Sequence, residues 1–130
     1  MIALDTNVLV RLLVMDDDED QRLRARDRGE ELLVTPTTLV EGVWVWLRRF
    51  KIPKEAVVTF IETMSEAEVV VFSEPVIVRE ALGAWKSGRG DFADYLIRAQ
   101  AQAAGARVVA TFDVQLHAEV GFTSLDRELR

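Results

Sequence analysis

Short apolar runs alternate along this chain of 130 residues with longer stretches in which apolar residues recur at helical spacing. The runs are continuous and rich in β-branched residues, as is typical of parallel strands buried on both faces. Four of them are clear and a fifth is a weaker candidate: 1–4, 32–35, 69–72, 107–110 and 122–125. The alternation predicts βαβ units, and therefore an α/β fold in which helices cover both faces of a parallel sheet.

The boundaries of the predicted helices carry recognisable signals. Three prolines each open a helical stretch, where a missing N–H is tolerated: Pro36, Pro53 and Pro75. Gly105 follows the helical stretch 91–104 at the position where a left-handed residue ends a helix. The charged segment 16–31 is expected to be a surface helix or, alternatively, a mobile segment, and the helix is favoured. No repeat or linker interrupts the pattern, so a single domain spanning 1–130 is expected.

Composition narrows the class of protein. Hydrophobic residues make up 49% and charged residues 29% of the chain, which excludes a disordered protein. The absence of cysteine excludes disulfides and thiolate zinc sites, and the single histidine, His117, excludes a site built from several imidazoles. No apolar stretch approaches the ~20 residues that a bilayer span needs. We therefore expect a soluble, cytoplasmic protein without a membrane partner.

The net charge of −6 argues at first sight against a nucleic-acid partner, which usually binds a basic surface. The argument depends on where the 22 acidic residues lie. If four or five of them bound one divalent cation, the other 17 or 18 would nearly balance the 16 basic residues. Net charge therefore leaves the kind of partner open.

Four acidic residues fall at strand ends or in early helical turns. Asp5 ends the first strand, and Asp113 closely follows the fourth. Glu41 lies on the helix after the second strand, and Asp94 lies in the first turn of a later helix. Parallel strands present their carboxyl ends at one edge of a sheet, where ligands bind. Four carboxylates at that edge would repel one another without a cation, and Mg²⁺ or Mn²⁺ matches carboxylate oxygens.

Structural explanations are also open for Glu41 and for the pair Asp91 and Asp94. Apolar neighbours would partly desolvate Glu41, or else it faces water at the edge of its helix and complements the helix dipole. Asp91 follows Gly90 and suits an N-cap, with Asp94 three residues later in the position of a capping-box acid. A cap does not preclude metal binding. We expect Asp94 to be the primary ligand and Asp91 mainly a cap.

Four segments together resemble the PIN domain family in order and spacing: Leu4–Leu9 (LDTNVL), the isolated Glu41, Asp91–Asp94 (DFAD) and Ala110–Asp113 (ATFD). The resemblance covers nearly the whole chain, whose length is similar to that of VapC-type toxins. It implies a three-layer α/β/α sandwich with a short, mainly parallel central sheet. It further implies an Mg²⁺- or Mn²⁺-dependent endoribonuclease that cleaves RNA with metal-activated water, is active as a homodimer and is inhibited by a small VapB-like antitoxin.

Carried over by position, the resemblance implies four catalytic, metal-binding acids, namely Asp5, Glu41, Asp94 and Asp113, with Asp91 as an accessory metal-binding acid. It implies that three polar residues orient these carboxylates: Thr6, Asn7 and Thr111. Independently of the resemblance, Lys86 and Arg89 flank the loop before Asp91, where basic side chains would bind RNA phosphates.

Three other functions remain open from the sequence. A PIN-type nuclease could mature RNA without being a toxin, and a catalytically silent domain could use the acidic edge to bind a partner. An aspartyl-phosphate enzyme would need a second acid two residues after Asp5, but position 7 is Asn. A receiver-like module would need paired acids before its first helix and a lysine after the last core strand, and the sequence shows neither. Trp44 and Trp46 cannot both face the core from one helix. One of them should therefore be exposed or lie in a subunit or antitoxin interface.

Overall fold

A computed structural model of the protein describes residues 1–14 and 28–129. These residues belong to two compact units, one within Met1–Pro75 and the other within Val76–Arg130. Most of the segment 16–31, predicted to be a surface helix, lies outside the described residues. None of the helices in the described part of the chain has the length and apolarity that a membrane span requires.

The first unit contains three short strands that form one parallel sheet in the order β1-β2-β3. Its elements follow in the order β1 (Ile2–Ala3), α1 (Thr6–Val14), β2 (Leu32–Val34), α2 (Pro36–Arg48), α3 (Lys54–Glu66) and β3 (Val70–Phe72). Ile2 pairs with Leu32, and Leu33 pairs with Val71. The parallel pairing predicted from the apolar runs is confirmed in this unit.

The starts of α2 and α3 follow from their prolines. Thr35 is the N-cap of α2, and its hydroxyl accepts the Thr38 N–H at 3.3 Å. Pro36 occupies the first turn, where a helix has no internal partner for an N–H. Pro53 precedes α3 with extended backbone. The proline signals therefore locate both helices to within a few residues of their observed starts.

A close approach between α1 and α2 organises the first unit. Trp46 is fully buried on α2, and its indole N–H donates to the Val10 carbonyl of α1 at 3.1 Å. Gly42 faces Leu9 so closely that an added Cβ would lie 3.2 Å from the Leu9 Cδ2 atom. Trp44, two residues from Trp46, is 61% exposed. The prediction that only one of these tryptophans is buried is therefore confirmed.

The second unit contains a two-stranded parallel sheet between helices. Its elements are α4 (Pro75–Ser87), α5 (Phe92–Ala103), β4 (Val109–Ala110), a 3₁₀ helix (Val114–Ala118), β5 (Phe122–Thr123) and α6 (Leu125–Glu128). Pro75, the first residue of α4, is also the last residue of the first unit. Val109 pairs with Phe122, and Trp85 packs edge-on against Phe92 with ring centroids 5.6 Å apart. Gly105 has φ of +94° just after α5, as the sequence predicts.

The 3₁₀ helix and α6 of the second unit were not predicted. The 3₁₀ helix has too few residues to display a period, and Asp113 is its N-cap. The strand β5 is shorter than the candidate run 122–125 because the Ser124 hydroxyl accepts the Arg127 N–H and begins α6. Short parallel strands alternate with helices in both units, so the predicted α/β class is confirmed.

We expect Gly42→Leu to destabilise the protein by about 1–3 kcal/mol because the new side chain would overpack the α1–α2 contact. The matched control is Gly83→Leu, at a glycine inside α4 where an added Cβ meets no atom within 4 Å. That variant should gain a few tenths of a kcal/mol to about 1 kcal/mol from helix propensity. Urea unfolding of both variants checks the prediction, and equal midpoints would contradict it.

Candidate active site

Asp5 stands at the junction between β1 and α1. Its Oδ1 atom accepts the Val8 N–H at 2.9 Å, and its carbonyl accepts the Leu9 N–H at 3.0 Å. The side chain therefore satisfies one of the N–H groups that the start of a helix leaves without an internal partner. Asp5 is exposed, and its Oδ2 atom has no hydrogen-bond partner among the described residues.

Glu41 is held next to this junction by a side chain from α1. The Thr6 hydroxyl donates to Glu41 Oε2 at 2.6 Å. The Thr38 hydroxyl also donates from α2 to the Leu4 carbonyl, at 3.4 Å. Glu41 is exposed, so the possibility that its apolar neighbours desolvate it is wrong. The contact made by the carboxylate is with a hydroxyl of α1.

Asp91 and Asp94 form the start of α5 in the second unit. Asp91 is the N-cap residue, with φ of −81° and ψ of 157°, and its N–H donates to Asp94 Oδ2 at 2.8 Å. The Asp94 N–H in turn donates to the Asp91 carbonyl at 3.0 Å. The expected cap is present as a capping box, in which the Asp94 carboxylate accepts the Asp91 N–H and the Asp91 side chain faces the Asp94 N–H. Asp91 itself is exposed.

Asp113 begins the 3₁₀ helix in a comparable way. Its Oδ1 atom accepts the Gln115 N–H at 3.0 Å, while its own N–H donates to the Thr111 hydroxyl at 3.1 Å. The Thr111 carbonyl accepts a hydrogen bond from His117 Nε2 at 2.8 Å. The only histidine of the chain is thus engaged in holding the turn that carries Asp113.

The four predicted acids have the same pattern of hydrogen bonding at their carboxylates. Each has one carboxylate oxygen held by a backbone N–H or a threonine hydroxyl, and each has a second oxygen without a partner among the described residues. Two ion pairs in the described part of the chain use other acids, since Glu30 pairs with the N-terminus and Glu128 with Arg107. The free oxygens are therefore available to an external ligand.

Burial and three nearby acids act on the Asp94 carboxyl. Its burial raises the pKa of the Asp94 carboxyl, the hydrogen bond from the Asp91 N–H lowers this pKa, and the charges of Asp91, Asp113 and Glu119 raise it. A carboxylate field of this kind favours a bound cation. The structure thus brings Asp91, Asp94 and Asp113 into one electrostatic neighbourhood of the second unit.

Tyr95 and Glu119 belong to this neighbourhood and were missed by sequence reasoning. The Tyr95 hydroxyl donates to the Glu119 carboxylate and accepts the Gly90 N–H at 2.9 Å. Burial, and next the hydrogen bond to Glu119, raise the pKa of Tyr95, while the Gly90 N–H opposes the rise. The two residues are 24 positions apart and share no motif. A tyrosine directly after the DFAD segment was the only available signal.

The remaining predicted site residues are on the surface. Asn7 is exposed on α1, Lys86 is exposed in the last turn of α4, and Arg89 is exposed in the loop before Asp91. In residues 1–14 and 28–129, no three histidine or acidic side chains lie close enough together to hold a metal ion. The donor chemistry still suits a hard cation, because the available atoms are carboxylate oxygens.

Comparison with known proteins identifies the family. The model of the PIN domain family matches residues 2–122. The VapC ribonuclease of Aquifex aeolicus (strain VF5) is 25% identical over 117 residues, which cover 86% of this chain and 87% of that protein. No solved structure matches the chain with comparable significance. Because the family match includes both units and every predicted site acid, we conclude that this chain belongs to the PIN domain family.

Proposed function

We propose that this protein is an endoribonuclease that depends on Mg²⁺ or Mn²⁺, and that it is the toxin of a type II toxin–antitoxin pair. The observation that carries the proposal is the shared state of four carboxylates in a PIN domain: each is oriented through one oxygen and has the other available. The similarity to a VapC ribonuclease supports RNA as the substrate. The family match across both units supports 1–130 acting as one nuclease domain.

The proposed catalytic residues are Asp5, Glu41, Asp94 and Asp113, which would hold the metal with Asp91 as an accessory acid. A bound Mg²⁺ or Mn²⁺ would supply water activation and charge screening at the scissile phosphate. Thr6 and Thr111 orient this set through the contacts to Glu41 and Asp113, and Asn7 is proposed to do so on ligand binding. The exposed Lys86 and Arg89 would bind the phosphates of the RNA backbone.

The proposed partners are a second copy of the chain and a small VapB-like antitoxin. The feature that supports a protein partner is Trp44, because an indole that is 61% exposed is unusual on a free surface and tryptophan is enriched at interfaces. We further propose that the protein acts in the cytoplasm, where its RNA substrate and its antitoxin are made.

Three alternatives are ranked below the toxin. A PIN nuclease that matures RNA would use the same acids and differ only in its cellular effect. An interaction domain without activity would use the acidic residues only to bind a partner, and it is ranked lower because all four proposed catalytic acids are present. An aspartyl-phosphate enzyme is the least favoured, since Asn7 stands where its second acid is required.

We expect the purified protein to cleave single-stranded RNA only when a divalent ion is present. EDTA should reduce the rate by roughly a hundredfold or more, and added Mg²⁺ or Mn²⁺ should restore it. A fluorophore–quencher RNA measures the rate, and Asp5→Asn protein purified in parallel controls for contaminating nucleases. Full cleavage after exhaustive chelation would contradict the proposed chemistry.

We expect Asp94→Asn to abolish cleavage with little change in melting temperature. The asparagine amide oxygen can still accept the Asp91 N–H, so the helix start is retained while the charge is lost. Asp94→Ala removes the acceptor as well and should cost about 1 kcal/mol of stability.

The matched variant for this prediction is Asp91→Asn. Asparagine keeps a side-chain oxygen that can face the Asp94 N–H, so the variant should retain measurable cleavage and weaken Mn²⁺ binding only modestly. Calorimetric Mn²⁺ titration of both variants decides between the two acids. If Asp91→Asn lost Mn²⁺ binding while Asp94→Asn kept it, the roles of the two acids would be reversed.

We expect induced expression of the wild-type protein in bacterial cells to arrest growth. Expression of Asp5→Asn should not, because asparagine keeps the oxygen that accepts the Val8 N–H but removes the charge. Co-expression of a small DNA-binding protein encoded next to the gene should relieve the arrest. Normal growth with soluble, active wild-type protein would instead favour an RNA-maturation nuclease.

A further inference from the structure

The Tyr95 side chain joins two turns of the second unit that carry proposed catalytic acids. Only 1% of Tyr95 is exposed, and its hydroxyl accepts the Gly90 N–H at 2.9 Å. The same hydroxyl lies 2.9 Å from Glu119 Oε1 and 2.8 Å from Glu119 Oε2. A phenol has one proton to donate and can also accept, so both of its hydrogen-bonding roles are used.

On one side, Tyr95 binds the loop that leads into α5. The N–H groups of Gly90 and Asp91 are consecutive, and they are held by the side chains of Tyr95 and Asp94 respectively. At Gly88 an added Cβ would lie 1.9 Å from the Tyr95 hydroxyl oxygen, so the ring occupies space that only a glycine leaves open. The orientation of the Asp94 carboxylate therefore depends on a loop that Tyr95 holds in place.

On the other side, Tyr95 binds the residue that ends the 3₁₀ helix. Glu119 is the C-cap residue of this helix, and Asp113 is its N-cap. The Tyr95–Glu119 hydrogen bond therefore ties the helix that begins at Asp113 to α5, which carries Asp94. Arg98 makes a second attachment, because its guanidinium donates to the Val120 carbonyl at 2.8 Å and lies 5.2 Å from the centroid of the Tyr95 ring.

We infer that Tyr95 and Glu119 form a positioning pair, which fixes the two turns that carry Asp94 and Asp113 and thereby supports metal binding and RNA cleavage by these carboxylates. The inference rests on the proposed function. Hydrogen bonds to a carboxylate are among the strong ones in proteins, and they constrain both partners. Catalysis is sensitive to such constraints, since a displacement of about 1 Å can cost about a hundredfold in rate.

The central test is Tyr95→Phe, which removes the hydroxyl and keeps the ring that packs edge-on against Phe122. We expect kcat to fall about tenfold while KM for RNA changes by less than about twofold. Mn²⁺ affinity, measured by calorimetry without RNA, should fall several-fold. Amide hydrogen exchange of Gly90 should accelerate, because its N–H loses its acceptor.

Variants of Glu119 separate positioning from charge. Glu119→Gln keeps an oxygen that can accept from Tyr95 and should retain kcat within about threefold of wild type. Glu119→Ala removes only the bond to Glu119 and should lower kcat in the same direction as Tyr95→Phe, which also removes the acceptor of the Gly90 N–H. The double variant Tyr95→Phe/Glu119→Ala should be no worse than Tyr95→Phe alone, since that change already breaks the Tyr95–Glu119 bond. Equal losses in Glu119→Gln and Glu119→Ala would overturn the inference in favour of a charge effect.

Ser124→Ala is the matched structural control, because it removes a capping bond to the Arg127 N–H in the same unit. It should lower the melting temperature and leave kcat and Mn²⁺ affinity unchanged. If Tyr95→Phe behaves in the same way, the pair is merely structural and the inference is overturned. If Tyr95→Phe fails to fold, Glu119→Ala decides by the same criteria. A wild-type protein that neither binds Mn²⁺ nor cleaves RNA would instead refute the proposed function.

Discussion

The N–H groups at the start of a helix must find partners outside it, and this requirement shapes the acidic residues of the protein. Asp5 supplies an acceptor at the start of α1, Asp94 does so at the start of α5, and Asp113 begins the 3₁₀ helix. Each bond uses one carboxylate oxygen and fixes the side chain. The same contact that lets the helix begin therefore directs a second, unused oxygen outward. Structural capping and ligand binding are compatible here because a carboxylate has two oxygens.

Glu41 follows a different route to the same state. It lies inside α2, where the backbone has no free N–H to offer, and the Thr6 hydroxyl takes that place. Thr6 can reach it because Gly42 lets α1 and α2 approach closely and because the Trp46 indole binds the Val10 carbonyl. Core packing of two helices thus determines the orientation of an exposed acid. A substitution in the buried α1–α2 contact would therefore alter the orientation of the Glu41 carboxylate, although the substituted residue does not contact Glu41.

The elements that the sequence predicts well are those with local signals. Periodicity and the prolines located the long helices, and Gly105 marked the end of α5. The alternative in which apolar neighbours desolvate Glu41 is wrong, because residues adjacent in sequence point to different sides of a helix. The Tyr95–Glu119 contact could not be derived, since it joins positions 24 apart with no shared pattern. Helix boundaries and caps can be predicted from a single sequence because their signals are local. Contacts between side chains far apart in the sequence can be identified only once the fold is known.

The three tryptophans are distributed so that each reports on a different part of the molecule. Trp46 is buried in the first unit and Trp85 in the second, while Trp44 faces solvent. Indole fluorescence depends on the polarity around the ring, so replacing two of the three by phenylalanine leaves an intrinsic optical probe of one unit or of the surface. Unfolding followed by the fluorescence of Trp46 alone and of Trp85 alone would therefore show whether the two compact units unfold in a single cooperative transition or one after the other.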